Sequence, residues 1–254
     1  MTDPNDLILE TVALTKEFRG FVAVKGVDLK VRRGTIHALI GPNGAGKTTC
    51  FNLLTKFQAP TSGRILFKGR EITRAAPAEI ARQGLVRSFQ ISAIFPSCTL
   101  LENVRVALQR THHGRSFDFW RSSSVLRRLD ARARELLADV GLADAADDMA
   151  GELPYGRKRA LELATTLALE PEVLLLDEPT AGMGHEDVDR IGALIKRVAA
   201  NRTVLMVEHN LKIVANLSDT ITVLARGEIL AEGDYTTVSK NPDVVDAYMG
   251  GTHA

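Results

Sequence analysis

Cysteine is scarce: Cys50 and Cys98 stand far apart, without metal-ligand spacing. The plain reading is two reduced cytosolic thiols. Long apolar runs are missing as well. None approaches the roughly 18–20 residues that a membrane helix needs, and 173–176 has only the length of a core strand. Charge of one sign is missing too. The net charge of +1 gives no bulk basic field, so a nucleic-acid partner is not expected. The N-terminus is polar and acidic, unlike a signal peptide. Internal repeats and low-complexity tracts are absent. These absences predict a soluble, cytoplasmic chain that reaches a membrane only through partners.

What remains is an ordinary globular balance, 45% apolar and 25% charged over 254 residues. That length accommodates one α/β core with a smaller subdomain. Residues 7–31 alternate around a turn at Arg19-Gly20 and predict an antiparallel strand pair. Residues 36–40 read as a buried strand, 41–46 as a glycine-rich turn, and 47 to about 57 as a helix. Residues 60–63 are a turn and 64–67 a strand. From 91 to 160 helical spacing takes over, as in Leu126, Leu129, Ala133, Leu136, Leu137 and Val140. Residues 111–124 read as an irregular excursion within that stretch. Apolar runs at 173–176, 204–207 and 221–224 then alternate with helical segments, and Arg226-Gly227 marks a late hairpin. Such alternation predicts a mainly parallel sheet covered by helices. The expected fold is therefore an α/β P-loop core with an N-terminal antiparallel β-subdomain. The core comprises 1–90 and 161–254, with a helical subdomain inserted at 91–160.

Gly41, Pro42, Asn43, Gly44, Ala45, Gly46, Lys47 and Thr48 fit G-x-x-x-x-G-K-[ST] and run on into Thr49. Glycines let the backbone bring its N–H groups close to phosphate oxygens. The following helix points its positive end at them. Lys47 is expected on the β- and γ-phosphates and the Thr48 hydroxyl on Mg²⁺. Far downstream, four apolar residues end in Asp177-Glu178-Pro179. Strand ends of a parallel sheet face the ligand crevice. Asp177 is then expected beside Mg²⁺ and Glu178 as general base for the attacking water. His209 follows another apolar run and is placed to orient that water or stabilise charge. Gln90, at the edge of the helical insertion, is a candidate for Mg²⁺ or water and for reporting nucleotide state.

In this order the pieces resemble the ATP-binding-cassette (ABC) ATPases over essentially the whole chain. The resemblance covers the phosphate loop 41–48, Gln90, the signature segment Leu153-Pro154-Tyr155-Gly156-Arg157, the strand 173–178 and His209. It implies ATP and Mg²⁺ as cofactors. It also implies a head-to-tail pair of cassettes, each ATP lying between one phosphate loop and the other chain's signature. One phosphate loop per chain means that a second ATPase is needed. The resemblance further implies Phe18 as the aromatic stacked on adenine; residue pattern alone makes Phe18 a half-buried strand residue. Residues 80–90, 155–162, 181–184, 207–210 and 241–250 are similar to the LivG-type ATPases of branched-chain amino acid importers. That branch implies two membrane-spanning permease subunits and, indirectly, a periplasmic substrate-binding protein. The cassette would sit on the cytoplasmic face of the membrane. The apolar residues Ile91, Ile94, Phe95 and Pro96 would be the dock for the permease.

Two departures stand out. Pro154 and Tyr155 replace the usual serine and first glycine of the signature, and proline offers neither hydroxyl nor N–H. The segment 181–184, Ala-Gly-Met-Gly, lacks the carboxylate usual at its last position. The weakened signature predicts a heterodimer with a related ATPase. Competing readings keep the ATPase with another cargo (urea, amides, lipopolysaccharide), or assign a non-transport cassette, a P-loop kinase or a GTPase. The last two should lack both the signature and His209.

Overall fold

The computed structural model is described over residues 6–88, 94–112 and 123–249. The alternating N-terminal segment forms β1 (Leu7–Phe18) and β2 (Phe21–Val27), paired antiparallel with Phe18 opposite Phe21. Arg19 and Gly20 both have positive φ, 49° and 92°, which matches the twist of a two-residue hairpin. The predicted pair is in fact part of a larger sheet. β3 (Lys30–Arg32) takes the first part of β1, and β5 (Ser62–Phe67) runs along the opposite edge, followed by β6 (Arg70–Glu71). β5 starts two residues earlier than expected, because Ser62 pairs with Thr15 beyond an irregularity in β1.

The second sheet has six strands. They are β4 (Ile36–Ile40), β7 (Leu85–Ser88), β8 (Val173–Asp177), β9 (Thr203–Val207), β10 (Thr220–Ala225) and β11 (Glu228–Gly233). Their order is β11-β10-β4-β9-β8-β7, parallel except for the antiparallel edge strand β11. The hairpin at Arg226-Gly227 is present, with φ of 52° and 83°.

Strand alternation divides the core in two. Ile36, Ala38, Ile40, Leu174, Leu176, Val204 and Met206 face the helices. Leu39, Val173, Leu175, Leu205 and Val207 face the antiparallel sheet and α1 (Lys47–Leu54). Burying each of the larger side chains among these stabilises the fold by roughly 1.5–3 kcal/mol. α1 stops short of the expected residue 57. The Thr55 hydroxyl donates to Phe51 O at 2.7 Å, and Lys56 turns left-handed at φ 63°. A short helix, α2 (Pro77–Arg82), precedes β7 and was not legible beforehand.

The helical stretch contains α3 (Leu100–His112), α4 (Ser123–Asp139) and α5 (Tyr155–Leu167). The predicted excursion at 111–124 has helical flanks, and 113–122 lie outside the described residues. Leu129, Ala133, Leu136, Leu137 and Val140 of the predicted periodic stripe are all buried. α5 runs through residue 160 and packs against α3 and α4 as well as β7 and α6 (His185–Ala199). Three further helices close the fold: α7 (Leu211–Leu217), α8 (Tyr235–Ser239) and α9 (Pro242–Met249). Among the described residues no helix is long and apolar enough to cross a membrane.

Candidate functional site

β4 ends at Ile40, and the chain turns through Gly41, Pro42, Asn43, Gly44, Ala45 and Gly46 into α1. Two glycines are required by space as well as by φ. A Cβ on Gly41 (φ 149°) would lie 2.1 Å from Leu224 O. One on Gly46 (φ 101°) would lie 2.4 Å from Ala23 O. The loop is thereby pressed between β10 and β2. Ala45 fastens it further, since its carbonyl accepts the Gly227 N–H at 3.1 Å. Lys47 is only 6% exposed, and its Nζ donates to Gly41 O at 2.7 Å and Pro42 O at 2.8 Å. Burial lowers its pKa, while the Glu178 carboxylate pulls the other way. Thr48 is exposed and Thr49 half-buried on the first turn of α1. The N–H groups of that turn have no acceptor within the helix.

β8 and β9 are adjacent in the sheet and end at the same edge as β4. Asp177 is fully buried, and its Oδ2 accepts from Arg87 Nη2 on the neighbouring β7. Its Oδ1 has no hydrogen-bond partner among the described residues. Glu178 has φ 46°, a left-handed conformation that is strained for a non-glycine residue. This turn sends its carboxylate toward His209, whose Nε2 lies 2.6 Å from Glu178 Oε1. An ionised carboxylate only accepts, so Nε2–H is the donor.

Glu208 holds this arrangement from below. It is 3% exposed. Its Oε1 accepts from the Thr180 N–H at 2.9 Å and the Thr180 hydroxyl at 2.5 Å. Its Oε2 accepts from the His209 N–H at 2.9 Å and the Asn210 N–H at 3.1 Å. One buried carboxylate therefore staples the segment after β8 to the segment after β9.

The sequence-predicted residues divide between several places. The loop 41–49, Asp177, Glu178 and His209 converge at one edge of the parallel sheet. Phe18 lies at the tip of the β1–β2 hairpin, 40% exposed, with Lys16 Nζ 4.9 Å from its ring centroid. The carbonyl of Ala23 in β2 packs on Gly46, so that hairpin borders the loop. Leu153 is buried, whereas Pro154 and Tyr155 are exposed at the start of α5. The Tyr155 hydroxyl donates to Ala181 O at 3.3 Å. Gly156 faces the Asp187 carboxylate, which an added Cβ would meet at 2.8 Å. Arg157 pairs with both oxygens of Asp144, at 2.8 and 3.0 Å. Gln90 lies outside the described residues.

Comparison with known proteins decides what carries this site. The ABC transporter family model matches residues 24–181. The chain belongs to the ABC transporter ATP-binding cassettes. A model described as a branched-chain amino acid ATP-binding cassette transporter matches residues 228–254 of the cassette. The cassette is 41% identical to the high-affinity branched-chain amino acid transport ATP-binding protein BraF of Pseudomonas aeruginosa, covering 96% of this chain and 98% of that one. It is 38% identical to LivG of Escherichia coli K12, described in the same words, with the same coverage. Among solved structures it resembles the ADP conformation of an ATP-binding cassette of an ABC transporter. That match has TM-score 0.83 and 31% identity over 96% of this chain and 99% of that one. A nucleotide-free cassette gives TM-score 0.82 and 30% identity over 95% and 98%. ATP binding and ATP hydrolysis follow for this chain from its family, as do membrane-subunit partners and pairing of cassettes.

Several residues of the cassette's site were given no role by the sequence reading. Arg87, Arg159, Glu162, Glu208 and Tyr248 all lie in the segments 80–90, 155–162, 207–210 and 241–250 that carry the resemblance, yet nothing in the sequence told what each one touches. Arg159 reaches from α5 to Asp177 O at 3.1 Å and to Glu162 Oε2 at 2.6 Å, tying the helix behind the signature to β8. Tyr248 on α9 stands at Gly41; burial raises its hydroxyl pKa and a backbone hydrogen bond with Gly41 opposes this. One available signal was polarity: Arg87 is the charged member of an otherwise buried four-residue strand. Cys50 is buried beneath the loop with its thiol pushed up to about 12, and so carries no chemistry.

Proposed function

We propose that this cassette is the ATP-hydrolysing subunit of an importer of branched-chain amino acids. In this reading Glu178 is the general base, and His209 holds its carboxylate and stabilises charge at the γ-phosphate. Their 2.6 Å contact, at the sheet edge that also carries Asp177 and the phosphate loop, is the observation that carries the proposal. Such a base contributes roughly 10²–10⁴-fold to the rate. Backbone N–H groups of 41–49 and the Lys47 ammonium bind the phosphates, and Phe18 stacks on adenine. Thr48, Asp177 and Gln90 would hold Mg²⁺. The partnerless, buried Oδ1 of Asp177 suits a divalent cation, since a buried carboxylate oxygen needs a partner. When bound, the cation supplies positive charge against the phosphates.

The cargo is supported by the C-terminal match and by the names of the relatives, and two permease subunits with a periplasmic binding protein complete the importer. The cassette would be peripheral, on the cytoplasmic face of the cell membrane. A groove of about 480 Å³ between core and helical unit is lined by Phe57, Phe95 and Val106, all exposed. This is where the permease docks in our reading. Residues 153–157 act on the partner cassette's ATP. Pro154 has lost a hydroxyl and an N–H there, and the Tyr155 hydroxyl is spent on Ala181. Each lost hydrogen bond to a charged group is worth roughly 1.5–3 kcal/mol. A heterodimer with a related ATPase, with unequal turnover at its two sites, follows. The test is co-purification with candidate permease subunits and a related ATPase, then uptake of labelled leucine into vesicles. Phe95→Asp should abolish assembly and leave the isolated chain folded. Normal assembly by that variant moves the dock elsewhere, and uptake of urea in place of leucine overturns the cargo.

A further inference from the structure

Asp177 is gripped on one oxygen and left alone on the other, and the grip comes from a residue to which the sequence assigned no role. Arg87 stands on β7, on the sheet face that also bears Leu85. Its side chain is 11% exposed and that of Asp177 1%. The guanidinium is used as a fork. Nη1 donates to Asn52 Oδ1 on α1 at 2.7 Å, and Nη2 donates to Asp177 Oδ2. The rings of Phe51 and Phe57 flank it, with centroids 5.9 and 5.8 Å from Cζ. Nε is buried and has no partner among the described residues, so the fork is aimed wholly at Asn52 and Asp177. One planar group thus fixes a carboxylate of β8 relative to the helix that leaves the phosphate loop.

We propose that Arg87 is a positioning residue for the metal-binding carboxylate: it immobilises Oδ2 of Asp177 against α1 and leaves Oδ1 as the oxygen presented to a divalent cation. A carboxylate free at both oxygens would rotate, and neither lone pair would be aimed. Arginine suits the task better than lysine, because its donors leave in fixed directions and can serve two acceptors at once. Partners that orient a ligating carboxylate govern metal affinity by roughly 10–100-fold. Arg87 also lines the groove beside Phe57, so one side chain touches both the groove and the carboxylate. The proposal rests on the assignment of Asp177 to a nucleotide-bound cation.

The experiment uses the full chain, a fluorescent ATP analogue and Mg²⁺ titrated from an EDTA-treated start. The readout is nucleotide binding, not turnover. In the wild type, Mg²⁺ should tighten binding with a measurable midpoint. Arg87→Met should move that midpoint up by roughly 10–100-fold, with nucleotide affinity in EDTA unchanged within about twofold. Arg87→Lys keeps the charge without the fork and should fall between. Asn52→Ala leaves the Arg87–Asp177 contact and removes its far anchor, so its midpoint should rise by less. A midpoint within about twofold of wild type for Arg87→Met overturns the proposal, as does a parallel loss of affinity in EDTA. Should Arg87→Met fail to fold, unchanged midpoints in both Arg87→Lys and Asn52→Ala overturn it. Nucleotide binding by the wild type that ignores Mg²⁺ overturns the metal assignment of Asp177, and the proposal with it.

Discussion

Glu208→Gln changes one atom of the site and almost none of its volume, so its cost isolates what the carboxylate does. Each oxygen of Glu208 accepts two hydrogen bonds, from Thr180 on one side and from His209 and Asn210 on the other. An amide keeps one oxygen and turns the other into a donor. With its NH2 toward Thr180 the hydroxyl there can turn and accept, so only the bond from the Thr180 N–H is lost outright. A hydrogen bond to a charged group is worth roughly 1.5–3 kcal/mol, so the expected loss is about 1.5–3 kcal/mol. At 3% exposure water offers little relief. Against a typical total of about 5–15 kcal/mol this is measurable and survivable. Urea unfolding of the isolated chain, followed by far-UV circular dichroism, reads the loss directly. ATP hydrolysis should fall with it, because the His209 backbone is held by the lost carboxylate. A stability change under about 1 kcal/mol would show that Glu208 is no staple, and the reasoning would fail.

Two further outcomes follow from the same contacts. Lys47→Ala should leave the fold intact and abolish useful ATP affinity in calorimetry, since the buried ammonium is the loop's fixed charge; unchanged affinity would remove it from the phosphate site. His37 is buried, with Nε2 2.8 Å from the Thr222 hydroxyl, and burial and then Arg32 push its pKa down to about 4. Its folded value lies below the ordinary value near 6.5, so its contribution is complete above pH 6.5 and is lost as pH falls toward 4. At roughly 1.4 kcal/mol per pH unit the full effect is about 3 kcal/mol. Stability measured at pH 7 and pH 4 should therefore fall by about that much less in His37→Gln than in wild type. Equal losses in the two proteins would contradict it.

Local chemistry was legible in the sequence wherever a residue type has one use. The loop 41–48 was readable because backbone turns without room for a Cβ demand glycine, as Gly41 and Gly46 show. The strands at 36–40, 173–176 and 204–207 were readable because both faces are buried and the runs are apolar apart from His37. Contacts between distant segments were not legible. Arg87 and Asp177 are 90 residues apart, and only the pairing of β7 with β8 brings them together. Glu208 looked like a neighbour of His209, because nothing local announces that it accepts from Thr180 across two strands. The early end of α1 depends on Lys56 adopting a left-handed turn that lysine rarely takes. The split of β2 from β3 reflects β1 changing partners along one edge, which alternation cannot reveal.

The central claim is that Glu178 abstracts the proton from water while this chain sits in an assembled transporter. ATP hydrolysis by the reconstituted complex, wild type against Glu178→Gln, tests it most directly. Glutamine keeps the shape and can still meet His209, and it is no base. The account predicts retained ATP affinity, a rate lower by roughly 10²–10⁴-fold, and cassettes held in the ATP-bound pair. Hydrolysis within a few-fold of wild type would contradict it.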